Sequence, residues 1–381
     1  MAALIRVLIA GGGPAGALCG ERLARAGFAV TIFEERPGWE KPCGGGVTWK
    51  TLQRYPFLLE GGVEKKLIGK AELIAADGRR VALELSRPLA IYSRTTLNSF
   101  LLRRAEQAGC AVIRQRALSA RSNGDICVRT TEDEFAGDFL VVATGARNAP
   151  QLEGAEPAAV WKLAPRDLEL TAGYYLPGED DRIRVQFLDN FEGYLWSFPR
   201  PDHLGVGICG KMEQNSSAAL KEKLHRFLEL EKISASGGTF YSHLLPSLAR
   251  PSWKHLALAG RGWARVGDAA GLVDPITGEG IYYALRSGEL LAEALIAGAP
   301  QSYPARVQRD FAADLRSAAR WQPMFYRGRW LGASTTGRMI DAAARSGRFR
   351  RVLDDLFAGT QSYRGLPWRV LGLLVPAAGN G

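Results

Sequence analysis

Apolar residues crowd the start of the chain at Leu4, Ile5, Val7, Leu8 and Ile9, a near-continuous run that reads as a strand entering a helix. Gly11, Gly13 and Gly16 follow as G-x-G-x-x-G, after which Leu18, Leu23 and Ala24 lay an apolar face on a helix that Gly27 can end. Val30-Thr31-Ile32-Phe33 is a second strand, closed by Glu34. The pattern is a complete βαβ unit. Gly11 supplies the tight turn, Gly13 lets backbone approach a pyrophosphate, Gly16 lets helix press on strand, and the helix N-terminus offers free N–H groups to the anion. Glu34 stands where a carboxylate accepts hydrogen bonds from a ribose and repels an added phosphate, which leaves FAD or NAD as the ligand class.

Further patterns favour the flavin. Pro42-Cys43-Gly44-Gly45-Gly46 is too glycine-rich for a helix or strand interior and reads as a loop lying close to a flat ligand such as isoalloxazine. Ala264-Arg265-Val266-Gly267-Asp268 ends a short strand on an Asp suited to the hydroxyls of a ribityl chain. Pro275-Ile276-Thr277-Gly278-Glu279-Gly280-Ile281 then leads into helical spacing at Ile281, Ala284, Leu285 and Leu291, aiming a helix N-terminus at the pyrimidine edge of a flavin. Leu140 to Gly145 reads as another buried strand of the same sheet.

Alternating segments indicate a second sheet. Ala71–Ala75 and Val81–Leu85, joined at Asp77-Gly78, form a predicted hairpin, and residues 182–188, 193–198 and 203–209 add strands. The expected fold class is α/β: a Rossmann-like FAD-binding domain (1–60, 90–150 and 255–300), a mostly antiparallel β-sheet substrate domain (61–89 and 151–254) and a C-terminal helical region (301–381). Gly205-Val206-Gly207-Ile208-Cys209-Gly210 repeats G-x-G-x-x-G literally, but a turn precedes it and no βαβ unit follows, so it is assigned to a hairpin strand. Tyr194, Trp196 and Phe198 alternate, which places their rings on one face of a strand, as sheet core or as a pocket wall.

The chain resembles the geranylgeranyl reductases, within the larger group of flavoproteins built like p-hydroxybenzoate hydroxylase. The residues that carry this are Lys41 to Gly46, Tyr194-Leu195-Trp196-Ser197-Phe198-Pro199, Gly267-Asp268-Ala269-Ala270-Gly271 through Gly278-Glu279-Gly280-Ile281, and Gln361 to Leu366. The resemblance implies FAD contacts at Ala15, Glu34, Cys43, Gly44, Gly46, Arg94, Ala117, Asp268, Gly280 and Ile281, and it tips Tyr194, Trp196 and Phe198 toward lining an isoprenoid channel. It also implies reduction of carbon–carbon double bonds in a polyprenyl chain, with NAD(P)H as a transient visitor that loads the flavin. An unactivated alkene takes up hydride poorly unless a proton arrives on the other carbon. Cys43 is the candidate donor; the alternative is a small loop residue whose sulfur does nothing. The rival reading is an FAD-dependent monooxygenase or halogenase of the same group. Flavin halogenases carry W-x-W-x-I-P where this chain has Tyr194-x-Trp196-x-Phe198-Pro199, which counts against that branch.

Length and composition agree with a globular enzyme: 381 residues, 46% hydrophobic and 23% charged. Cys19, Cys43, Cys110, Cys127 and Cys209 show no C-x-x-C spacing, so neither a disulfide framework nor a metal site is expected, and no G-x-S-x-G elbow suggests a serine hydrolase. No signal peptide is read at the N-terminus, and apolar stretches such as 370–375 fall far short of the ~20 residues that span a bilayer, so the expected location is cytoplasmic. Charge is uneven. Residues 301–381 hold 13 Arg and 5 Asp with no Lys or Glu, hence +8 of the overall +10. Trp321, Trp330 and Trp368 are interleaved with these arginines, a mixture suited to peripheral membrane contact or a diphosphate, or equally to an ordinary solvated face. No nucleic-acid module accompanies the charge, and a monomer or weak oligomer is expected.

Overall fold

The computed structural model describes residues 5–123, 125–146, 151–153, 162–330, 332–366 and 368–369; the apolar stretch 370–375 and the side chain of Trp330 lie outside them. The chain forms two compact units, each assembled from three separated segments: 1–41, 93–169 and 244–313 in the first, 42–92, 170–243 and 314–381 in the second.

The first unit is built on a six-stranded sheet in the order Ala259–Gly260, Trp263–Arg265, Phe139–Val142, Arg6–Ala10, Ala29–Phe33, Ala111–Ile113. All neighbours run parallel except the edge pair Ala259–Gly260 and Trp263–Arg265. Parallel strands covered on both faces need apolar residues at every position, which explains the unbroken runs in the sequence. Val7, Leu8, Ile9 and Ala10 are all buried. The helix Pro14–Arg25 packs against both Ile281–Ile296 and Arg94–Gln107. Leu8, Ala10, Phe33, Leu140 and Val142 share a core with Ala117, Ala120, Ile126 and Val128. Those last four belong to a four-stranded sheet (Gln151–Glu153, Ala117–Asn123, Asp125–Thr130, Glu134–Gly137) that the hydrophobic pattern did not announce.

The second unit centres on an eight-stranded sheet, ordered Thr239–Pro246, Leu168–Leu176, Leu204–Lys211, Gly193–Pro199, Ile183–Phe187, Lys66–Ile74, Arg80–Ile91, Gly46–Val47. The expected hairpin is present, with Leu73 opposite Val81 in an antiparallel ladder. Ile183–Phe187 pairs antiparallel with Gly193–Pro199 and parallel with Lys66–Ile74, so the sheet is mixed. One core joins Leu195, Val206 and Ile208 to Leu220, Leu224 and Phe227 of the helix Ser217–Leu230. Another joins Leu73, Leu83 and Phe187 to Tyr326, Ile340 and Leu353 of the helices Ala313–Arg327, Thr335–Arg345 and Gly347–Phe357. The arginine-rich helices therefore cover sheet with their apolar faces and turn their charges outward.

The second G-x-G-x-x-G lies wholly within the strand Leu204–Lys211 and serves packing. A methyl group on Gly205 would come 3.3 Å from Arg200, one on Gly207 would come 2.5 Å from Trp196, and one on Gly210 would come 2.7 Å from Phe191. Each missing side chain makes room for a large one.

Candidate functional site

The dinucleotide-binding features gather in the first unit. Gly13 is the N-cap of the helix Pro14–Arg25, and no side chain caps that helix. Its first N–H groups therefore point toward whatever lies beyond the N-terminus, an anion-binding arrangement. A methyl group on Gly13 would meet nothing within 4 Å, so the approach is open. The Glu34 carboxylate accepts from the Gly12 N–H at 2.9 Å and from the Arg36 N–H at 2.9 Å, which fixes it at the lip of the turn. Ala15 and Gly16 lie in the helix's first turn. Gly288 admits Ala15 to the neighbouring helix, since a methyl group there would stand 2.3 Å from the Ala15 carbonyl.

The return crossing is equally ordered. Gly267 begins a short 3-10 turn containing Asp268, and its N–H donates to Ser287 Oγ at 2.9 Å. Gly280 is the N-cap of the helix Ile281–Ile296 and has no side chain with which to cap it. Asp268 ion-pairs with Lys41, a partner that sequence reasoning did not assign. The Thr144 hydroxyl, which follows the strand Phe139–Val142, is buried with no hydrogen-bond partner, the kind of orphan a bound ligand can satisfy. Two helix N-termini that begin at glycines, the fixed Glu34 carboxylate and an orphan hydroxyl constitute a donor and acceptor set that fits FAD.

Arg94 is buried at the start of its helix and is held by Asn98 Oδ1, 3.1 Å from Nη2. The capping of that helix comes from Glu40, whose carboxylate accepts from the Arg94 N–H at 2.8 Å, the Thr95 N–H at 2.9 Å and the Ser93 hydroxyl at 2.5 Å. Ala117 starts a strand and packs in the core with Phe33. Burial pushes the Arg265 guanidinium down to about 10, and it stacks 4.7 Å from the Trp263 ring centre.

The second unit holds the remaining candidates. Gly44 lies on the Phe198 ring, where a methyl group would come within 2.9 Å, and one on Gly46 would come within 3.5 Å of the same ring. Gly45 takes φ +76° and its carbonyl accepts from the Tyr92 N–H at 3.0 Å. The Cys43 carbonyl accepts from Arg200 Nη2 at 2.5 Å. Tyr194 and Phe198 are half-buried against the core that includes Leu83, Leu89 and Ile91, whereas Trp196 is buried. The Tyr175 and Tyr241 rings lie 4.6 Å apart, tilted by 40°. Desolvation, with Tyr175 nearby, raises the Tyr241 hydroxyl well above its ordinary value; it donates to the Val206 carbonyl at 3.1 Å. Arg200, Glu40 and Tyr241 escaped sequence reasoning. Only Arg200, an arginine between Pro199 and Pro201 directly after the aromatic alternation, carried a local signal.

Residues 9–55 match the model of the NAD(P)-binding Rossmann-like domain. The chain is 30% identical over 321 residues to a digeranylgeranylglycerophospholipid reductase of Methanosphaerula palustris, covering 76% of each protein. The chain belongs to the geranylgeranyl reductase family. It is accordingly an FAD-dependent oxidoreductase. A further member, the chloroplastic geranylgeranyl diphosphate reductase of Oryza sativa subsp. japonica, is 27% identical over 325 residues, 77% of this chain and 67% of that one. A geranylgeranyl bacteriochlorophyll reductase-like protein of Thermoplasma acidophilum shares the fold with a TM-score of 0.74 at 21% identity, over 98% of this chain and 99% of that one. Within this geranylgeranyl reductase-type architecture no group of three or more His, Cys, Asp or Glu side chains suited to a metal occurs among the described residues. No helix among them is long and apolar enough to cross a membrane.

Proposed function

We propose that this chain reduces carbon–carbon double bonds of a polyprenyl substrate, adding two hydrogens per event. The observation that carries the reading is the meeting of Gly44 and Gly46 with Phe198: two motifs about 150 residues apart, both characteristic of these reductases, pack on each other. FAD, when bound, supplies the two electrons and one hydrogen as hydride and is replenished by NAD(P)H, which visits without a domain of its own. The chain's own residues do the rest. Gly11, Gly13, Ala15, Gly16 and Glu34 hold the adenosine and pyrophosphate side, and Gly280 and Ile281 present a helix N-terminus to the flavin ring. Asp268 and Arg94 contribute polar contacts, and Ala117 fixes the adjoining strand. Tyr194, Trp196 and Phe198 wall the prenyl chain, and Cys43 gives up the proton that completes the saturated bond.

The test is anaerobic incubation of dithionite-reduced holoprotein with geranylgeranyl diphosphate and with lipid-linked geranylgeranyl groups, followed by mass spectrometry. A gain of two hydrogens per event is expected; an oxygenated product formed only in air would replace the reading with a monooxygenase. Cys43→Ser is expected to slow alkene reduction by about 10²-fold, the low end of what a positioned proton donor contributes, while flavin reduction proceeds at the parent rate. Full alkene reduction by that variant would remove Cys43 from the mechanism.

The enzyme works in the cytoplasm, as a monomer or weak oligomer, at a membrane surface. Arg316, Arg320 and Met324 recur at helical spacing on the exposed face of Ala313–Arg327, and Trp368 is 77% exposed. An exposed arginine near anionic lipid contributes about 1 kcal/mol, so neutralising Arg316 and Arg320 to Gln should weaken binding to phosphatidylserine vesicles by roughly 30-fold. Co-sedimentation at low and high salt measures this, and equal pelleting of parent and variant would discard the membrane assignment.

A further inference from the structure

We infer that Arg200 is the positioning residue for Cys43, a step that rests on Cys43 working at the flavin. Burying a guanidinium is costly unless its charge and donors are satisfied, so a fully buried arginine needs a reason. Arg200 is 0% exposed. Its Nη2 donates to the Cys43 carbonyl at 2.5 Å, and its Cζ lies 5.1 Å over the Tyr175 ring centre. The strand beside it is thinned to admit it, because a methyl group on Gly205 would stand 3.3 Å from Nε. Its own backbone is pinned by the turn, the Arg200 N–H donating to the His203 carbonyl at 2.8 Å, with prolines on both sides in sequence.

The loop that Arg200 grips cannot orient itself. Three consecutive glycines follow Cys43, and glycine has the weakest backbone preference of any residue, so nothing local fixes the Cys43 peptide plane. The plane is set by clamps from outside: Tyr92 on the Gly45 carbonyl, the Phe198 ring under Gly44, and Arg200 on the Cys43 carbonyl. Of these, Arg200 is the one that bonds the Cys43 carbonyl. Fixing that carbonyl restricts rotation about the Cys43 Cα–C bond, which narrows the directions open to Cα–Cβ and so the positions the thiol reaches through χ1. A planar guanidinium can stack on Tyr175 while donating in its own plane; an ammonium cannot, so lysine is an imperfect substitute.

The test uses flavin-loaded protein in a Cys127→Ser background, because Cys127 is half-buried whereas Cys19, Cys110 and Cys209 are buried. Arg200→Met and Arg200→Lys are compared for bound FAD, kcat, KM and the rate at which iodoacetamide alkylates Cys43. Arg200→Met should keep its FAD and a KM within about threefold of the parent, lose about tenfold or more in kcat, and change the alkylation rate by about fivefold or more; Arg200→Lys should recover part of both. A purely structural arginine would lower stability without splitting kcat from KM or moving the alkylation rate. Should Arg200→Met not fold, Tyr175→Leu loosens the same clamp while keeping the charge, and about threefold changes in both readouts are expected. Unchanged kcat and alkylation in a folded clamp variant, with Cys43→Ala inactive, overturns the inference alone. A fully active Cys43→Ala overturns the reading beneath it.

Discussion

Gly16→Val is expected to yield colourless protein. A Cβ at this position would lie 2.0 Å from the Gly11 carbonyl oxygen and 3.1 Å from both Ala143 Cβ and Ile9 Cγ2. The Gly11 oxygen and the Ala143 Cβ are backbone or backbone-near atoms directly after the strands Arg6–Ala10 and Phe139–Val142 and cannot step aside, so the helix Pro14–Arg25 must lift away from the sheet. Lifting it moves the uncapped N-terminus, and the N–H groups that would hold the pyrophosphate move with it. Absorbance of the flavin after desalting should fall from near stoichiometric to below about a tenth of the parent value, with a lowered Tm. Gly13→Ala is the matched comparison, because nothing lies within 4 Å of its added methyl group. Freed of flavin, it should match the Tm of the parent freed of flavin, and lose only ligand affinity. A yellow Gly16→Val protein of normal stability would show that this crossing does not hold the cofactor.

The contrast between these glycines also marks where sequence reading succeeds. The βαβ unit was legible because buried parallel strands demand continuous apolar runs and because Gly11, Gly13 and Gly16 serve backbone geometry at fixed spacing, with an acid, Glu34, closing the second strand. The same logic rejected Gly205 to Gly210, whose context was a hairpin, and the structure gives those glycines packing duties. The four-stranded sheet was invisible for the opposite reason. Ile126 and Val128 alternate, but a register shift between Ala117 and Ser119 puts the buried Ala117 and Ala120 three residues apart, and the polar remainder, such as Arg121 and Glu134, blurs the period further. The clamps on Cys43 and the cap on Arg94–Gln107 were invisible because they are long-range pairings. Glu40 reaches a helix that starts 54 residues later, and Arg200 reaches a loop 157 residues earlier. No local propensity encodes either. Asp268 was legible as a residue type at a strand end, but its pairing with Lys41 across 227 residues was not.

Arg286→Met is expected to be among the most destabilising single changes outside the site. Arg286 is buried on the helix Ile281–Ile296, and its guanidinium spans Glu289 at 2.8 Å, Glu293 at 3.2 Å and Asp310 at 2.6 Å. Those carboxylates hold its pKa above the ordinary arginine value despite the opposing effect of burial. Removing the cation takes from Glu289, 8% exposed, its partner at 2.8 Å while the half-exposed Arg22 stays at 3.0 Å, and takes from Asp310 Oδ2 the two donors Nε and Nη2. Breaking one side of a buried ion network typically costs about 3–5 kcal/mol, because the stranded charge remains buried. For a unit of this size that corresponds to a Tm loss of roughly 6–20 °C, measurable by calorimetry on the flavin-loaded protein. Replacing both ends, Arg286→Met with Glu289→Leu, should recover much of the loss, since the pair's net contribution is far smaller than the penalty for half of it. If the double variant is no more stable than Arg286→Met, the destabilisation comes from lost packing of the arginine's stem against the helix and not from the stranded carboxylate.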